Sequence, residues 1–190
     1  RRGLHSMEPR TPVRGRKTRS GLRASNLEGI VLIMADSEPH KHLAHVTAFV
    51  DTPMVFLTVC TADRCRLLSC EDAHATLYSL WQQSAERNGW FVGRYMIMPD
   101  HVHLFARQSR EAYRMRDWIK MWKSMSTRAL KVKLCLPGSL WQRDYFDRFL
   151  RSSDNYSEKW EYVRNNPVRA GLISRAEAWP YQGEIHTLKW

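Results

Sequence analysis

Two histidines separated by one residue, His101-Val102-His103, are the first feature with an evident chemical use. In an extended chain, residues i and i+2 face the same side. Both imidazoles then point one way while Val102 and Leu104 point into a core. Two neutral imidazoles side by side make half a site for a divalent cation. Such a pair also occurs as two plain surface histidines on a strand edge. Here apolar residues flank both, and Pro99-Asp100 is a turn that places them at the mouth of a hairpin. A complete site needs a third protein donor. Asn166 is a candidate because an amide oxygen suits Mg²⁺ or Mn²⁺, although composition alone does not pick it from the other polar residues.

Tyr162 lies four residues before Asn166. On a helix, i and i+4 share one face, so a donor at Asn166 brings this phenol with it. A free tyrosine hydroxyl ionises only near pH ~10 and is a weak nucleophile at neutral pH. A nearby cation favours the phenolate and polarises a phosphate under attack. The plainer role for Tyr162 is to pack a helix against a sheet. Arg114, Arg116, Lys120, Lys123 and Arg128 give one helical stretch a basic character. That stretch is either an ordinary solvated face or a surface for DNA, with Trp118, Trp122 or Trp141 available to stack on bases. Arg143 and Arg148 flank Tyr145-Phe146 and extend the same basic surface.

The elements that must hold these residues follow from periodicity. Met54–Cys60 is β-branched and aromatic and predicts a buried strand, with Pro53 at its edge. Glu71–Asn88 predicts a helix, since Leu77, Leu80, Trp81 and Ala85 recur at three and four, and Gly89 supplies its C-cap. Trp90–Met98 and His101–Arg107 form the two arms of a hairpin. Glu111–Leu130 is a second helix and Pro137-Gly138 a turn. Trp141–Leu150 is a strand, and Ser153–Arg164 a third helix that stops at Asn165-Asn166-Pro167. Strand, helix, hairpin, helix, strand, helix implies an α+β fold, with one antiparallel sheet and helices packed on it.

Composition sets the outer limits. The chain has 190 residues, 43% of them hydrophobic and 26% charged, which suits a single domain with a sizeable core. Net charge is +11, and residues 1–23 hold eight basic side chains against Glu8. Residues 1–41 therefore read as a basic, irregular arm ahead of a domain spanning 42–190. That arm is solvated, grips phosphate non-specifically, or precedes a start at Met34. Cys60, Cys65 and Cys70 are spaced too widely for the close pairs of a zinc site, so they and Cys135 read as reduced thiols. No apolar run approaches a membrane span and no signal peptide is visible, which implies a cytoplasmic protein with no membrane partner.

The run Tyr95–Phe105 resembles the HUH signature of the single-tyrosine transposases. Leu140–Phe149 is similar to their late strand, and Tyr162–Leu172 to their tyrosine helix and its exit. Trp179-Pro180-Tyr181 looks like the tail of one branch, the REP-associated tyrosine transposases, which act on palindromic repeats in bacterial genomes. The resemblance covers about residues 43–182, with the motifs in order and correctly spaced. It implies a ferredoxin-like HUH fold, with Mg²⁺ or Mn²⁺ held by His101, His103 and Asn166. It also implies that Tyr162 is the nucleophile and forms a 5′-phosphotyrosine that leaves a free 3′-OH. The implied partner is single-stranded DNA bearing a hairpin or palindromic repeat, at the nucleoid, met by a monomer. Insertion-sequence members carry glutamine where this chain has Asn166, whereas the repeat-associated branch carries asparagine. The basic arm has no counterpart in that pattern. Two other readings keep the fold: a catalytically silent hairpin-DNA-binding protein, and a metal hydrolase with no covalent step.

Overall fold

The computed structural model describes residues 52–136 and 138–189. The basic arm 1–41, its boundary with the domain, and Pro137 lie outside the described residues. Five strands form one antiparallel sheet: β1 (Met54–Cys60), β2 (Trp90–Met98), β3 (His101–Gln108), β4 (Phe146–Phe149) and β5 (Gln182–Glu184). Their order across the sheet is β4-β1-β3-β2-β5. Four helices join them: α1 (Glu71–Asn88), α2 (Met115–Lys133), α3 (Ser153–Arg164) and the single turn α4 (Asn166–Arg169). From β1 to β4 the chain runs strand, helix, two strands, helix, strand, which is the ferredoxin-like plan. The expected α+β architecture is therefore present.

Strand alternation splits the sheet into two buried faces. Val55, Leu57, Val59, Val102, Leu104 and Ala106 face α1 and α2 and pack with Trp81, Trp118 and Trp122. Met54, Phe56, Met96, Met98 and Phe105 face the other way and pack with Tyr156 and Val163 of α3 and with Trp179. The C-terminal tail completes this second layer. The Trp179 indole donates to the Ile97 carbonyl at 3.0 Å, and the Ile97 amide donates to Tyr181 O at 2.8 Å. Among the described residues no helix is long and apolar enough to cross a membrane.

Several boundaries differ from the expectation, each for a local reason. Gly89 does end α1, in the left-handed region at φ 70°. A side chain there would meet the Ala112 backbone at 2.9 Å, because the segment after β3 lies against this cap. The Ser109 amide donates to Gly89 O and the Tyr113 amide to Asn88 O. Those bonds tie residues 109–113 to α1, so α2 begins at Met115 rather than Glu111. The expected strand Trp141–Leu150 shrinks to Phe146–Phe149, with a lone bridge between Thr61 and Trp141. The Trp141 indole donates to Ser126 Oγ at 2.8 Å, and Lys123 Nζ donates to the carbonyls of Gln142 and Arg143. These contacts draw the segment toward α2, and the Gln142 amide still donates to β1, to Cys60 O at 2.9 Å. Trp118, Trp122 and Trp141 are at most 3% exposed, so none of the three is available to stack on bases. The i, i+4 spacing of the first two places them with Ile119, Ser126 and Leu130 on the buried stripe of α2.

Candidate functional site

His101 and His103 open β3 on the second face of the sheet, facing the layer that holds α3. Each is held from outside by the fold. The turn before them is pinned because the Thr61 amide donates to Asp100 O and the Leu68 amide to Pro99 O, both at 2.9 Å. Asp100 Oδ1 lies 2.7 Å from His101 Nδ1, and its other oxygen lies 3.3 Å from Arg64 Nε. Thr58, paired with His103 across β1 and β3, places Oγ1 2.8 Å from His103 Nδ1. Phe56 stacks on the His103 ring at 5.5 Å. The two Nε2 atoms converge at 3.1 Å.

The electrostatics keep this pair neutral. Burial lowers the pKa of His101, against the pull of its Asp100 hydrogen bond. His103 is held well below the usual histidine range by burial first, then by the charges of His101, Lys159, Arg64 and Arg169. A carboxylate on Nδ1 fixes the N–H there, which leaves His101 Nε2 with a bare lone pair. A lone pair aimed at a second imidazole nitrogen 3.1 Å away is the kind of convergence that a shared cation or proton relieves. Among the described residues no three His, Cys, Asp or Glu side chains converge to complete a metal site.

Tyr162 and Asn166 arrive from α3 and α4 of the same chain. Ser152 caps α3 by accepting from the Asn155 amide. The helix stops at Arg164, as expected, but the chain turns again immediately as α4, with Pro167 in its first turn, where a missing N–H is harmless. Tyr162 is 55% exposed. Two cations border its ring: the Arg169 guanidinium at 3.9 Å and the Lys159 ammonium at 5.5 Å. Lys159 also lies 5.3 Å from the Phe56 ring, so it spans from Tyr162 to the residue stacked on His103. Arg169 donates to Tyr162 O at 2.9 Å and to Asn166 Oδ1.

The remaining candidates divide. Arg114, Arg116 and Lys120 are exposed on or beside α2, which covers the sheet face opposite to the histidines. Lys123 points inward to two carbonyls, and burial lowers its pKa. Arg143 is exposed in the loop before β4. Arg148 is exposed on β4 and pairs with Phe56, which puts it on the histidine face. Sequence reading did not single out Thr58, Lys159, Arg169 or the role of Asp100. Lys159 and Arg169 stand three residues from Tyr162 and Asn166, a helical spacing too common among the basic residues to mark them.

Comparison with known proteins adds three findings. The family model described as Transposase IS200 like matches residues 50–166. A protein of Haemophilus influenzae assigned to the REP-associated tyrosine transposases is 25% identical over 161 residues, covering 75% of this chain and 89% of that protein. A solved structure of a REP-associated tyrosine transposase bound to a REP hairpin superposes with a TM-score of 0.60 at 18% identity, covering 74% of this chain and 82% of that one.

Proposed function

The chain belongs to the IS200-like transposase family, and we propose that it cuts and rejoins single-stranded DNA at hairpin or palindromic repeats through Tyr162. In this reading the Tyr162 oxygen attacks the scissile phosphorus. A tyrosyl O–P bond forms, the P–O3′ bond breaks, and the proton lost from the phenol ends on the departing 3′-oxygen. The 5′-phosphotyrosine retains the phosphodiester energy, so a 3′-OH can later attack it, release the phenol and seal a strand without ATP or water. His101, His103 and Asn166 would hold Mg²⁺ or Mn²⁺, which when bound supplies Lewis-acid polarisation of the phosphate. Two half-buried neutral imidazoles whose Nε2 atoms converge suit such an ion. Arg169 and Lys159 place positive charge around the Tyr162 ring, where a phosphate and an ionising phenol need it.

The observation that carries the proposal is the meeting of the histidine pair and the Tyr162 segment on one face of one chain, joined through Lys159 and Phe56. The hairpin-bound relative supports the choice of DNA partner. The test is mass spectrometry of the protein after incubation with hairpin-bearing single strands. Wild type should yield a DNA-linked peptide containing Tyr162, and Tyr162→Phe should fold, bind DNA and yield none. An adduct on Tyr145 or Tyr156, or one that survives in Tyr162→Phe, refutes the assignment. Binding without any adduct returns the chain to the class of silent hairpin binders.

A further inference from the structure

With Trp118, Trp122 and Trp141 buried, the side chain that holds a strand beside the histidines must be sought elsewhere. β4 is an edge strand, and two of its side chains stand on the histidine face. Phe146 pairs with Thr58, which in turn pairs with His103; Arg148 pairs with Phe56, which pairs with Phe105. Directly opposed residues of an antiparallel ladder share a face. Phe146, Thr58 and His103 therefore form one row across the sheet, with Arg148, Phe56 and Phe105 in the next. Two strand spacings put Phe146 about 10 Å from His103.

Burial agrees with this placement. Phe146 is 43% exposed and Arg148 is exposed. Tyr145 and Phe149, which point the other way, pack partly against the first core. Neither Phe146 nor Arg148 has a hydrogen bond, ion pair or ring contact among the described residues. A single exposed phenylalanine is ordinary on a protein surface. This one differs in its company, with Arg148, unpaired among the described residues, beside it and Lys159 over the neighbouring Phe56 ring. An aromatic face beside a row that carries two cations, and in line with His103, matches the chemistry of a nucleotide, whose base stacks while its phosphates are neutralised.

We propose that Phe146 is the stacking platform for one base of the single-stranded segment flanking the scissile phosphate, with Arg148 and Lys159 holding the adjoining phosphates. This rests on the reading of the chain as a single-stranded DNA transposase. Every base has a π face, so the platform contributes affinity rather than sequence choice. A paired base has both faces covered, so the platform also distinguishes a single-stranded flank from duplex.

The probe is a DNA hairpin with single-stranded flanks, carrying 2-aminopurine at successive flank positions, titrated with the full chain without added metal. Stacking should quench one flank position. Phe146→Ala should abolish that quench and weaken binding of the flanked hairpin about 10- to 100-fold, while binding of the same hairpin without flanks is unchanged. Phe146→Trp should restore quench and affinity. An alanine variant that keeps both, or one that weakens flanked and flankless hairpins equally, overturns the proposal. A wild-type chain that gains nothing from the flank overturns it together with the single-strand reading. A Phe146-dependent flank without any Tyr162 adduct supports the platform and removes only the strand-transfer chemistry.

Discussion

Arg169 makes three contacts that bear on the reaction. It lies 3.9 Å over the Tyr162 ring, donates to Tyr162 O, and donates to Asn166 Oδ1. The first two, to the ring face and to the main-chain carbonyl, hold a cation beside the phenol proposed to react. The third occupies the oxygen proposed to join the histidines as a donor. The two roles separate on mutation. Arg169→Ala should slow adduct formation roughly 10- to 100-fold, as expected for losing a preorganised cation near developing charge. Mn²⁺ affinity measured by calorimetry should stay level or rise, because Asn166 Oδ1 is released. Equal losses in rate and Mn²⁺ affinity would show that Arg169 merely holds α4 in place. The sequence exposes this site unevenly. His101, His103, Tyr162 and Asn166 stand out because their spacings fit strand and helix periodicity. Arg169 and Lys159 share the helical spacing, yet among 30 lysines and arginines a spacing of three selects nothing. Thr58 lies 45 residues from His103 and meets it only through strand register, which no local pattern encodes.

Elements show the same contrast between local signals and long-range ones. α1 and β2 occupy the residues that periodicity assigns, because an 18-residue amphipathic stretch and a glycine stop are both local signals. The start of α2 and the loss of strand at 141–145 depend on partners distant in sequence, Asn88, Gly89 and Lys123, and were not legible. Whether Trp118, Trp122 and Trp141 stack on bases or fill the core stayed open, because the sequence names an aromatic without saying which way its helix or strand turns it. At the junction of α1 and β2, His74 Nε2 meets the Tyr95 hydroxyl at 2.8 Å. Burial lowers the pKa of His74 and raises that of Tyr95 to about 12. His101 and His103 are also lowered, chiefly by burial. An unfolded chain takes up these protons near pH ~6.5, whereas the fold resists them, so it binds fewer protons below that point. Their contribution is complete above the unfolded value and is lost as pH falls from there toward the folded values. In EDTA the thermal midpoint should therefore drop as pH falls from about 7 to about 5. His74→Gln, which keeps a partner for Tyr95, should give a shallower drop. A midpoint that rises on acidification, or an unchanged slope in His74→Gln, contradicts this account.

At the scale of the whole molecule, one chain supplies both halves of the proposed site. α3 is fastened to its own sheet: the Tyr156 ring meets Phe105 edge-on at 4.9 Å, and Val163 is fully buried in the second core. The chain then returns under the same face, where Trp179 bonds to Ile97 and β5 pairs with β2. Withdrawing α3 toward another subunit would uncover Tyr156 and Val163, each a burial of about 1.5–3 kcal/mol, and would detach a helix whose tail remains tied to β2. We propose on this packing that the site is assembled within one chain, and the reaction should then need no second copy. Mixing a His101→Ala chain with a Tyr162→Phe chain tests this directly, since each retains the half that the other lacks. The mixture should form no more adduct than either variant alone, across a range of protein concentrations. Adduct recovered only on mixing, and rising with concentration, would mean that Tyr162 of one chain serves the histidines of another. The packing of α3 seen here would then be one of two exchangeable arrangements.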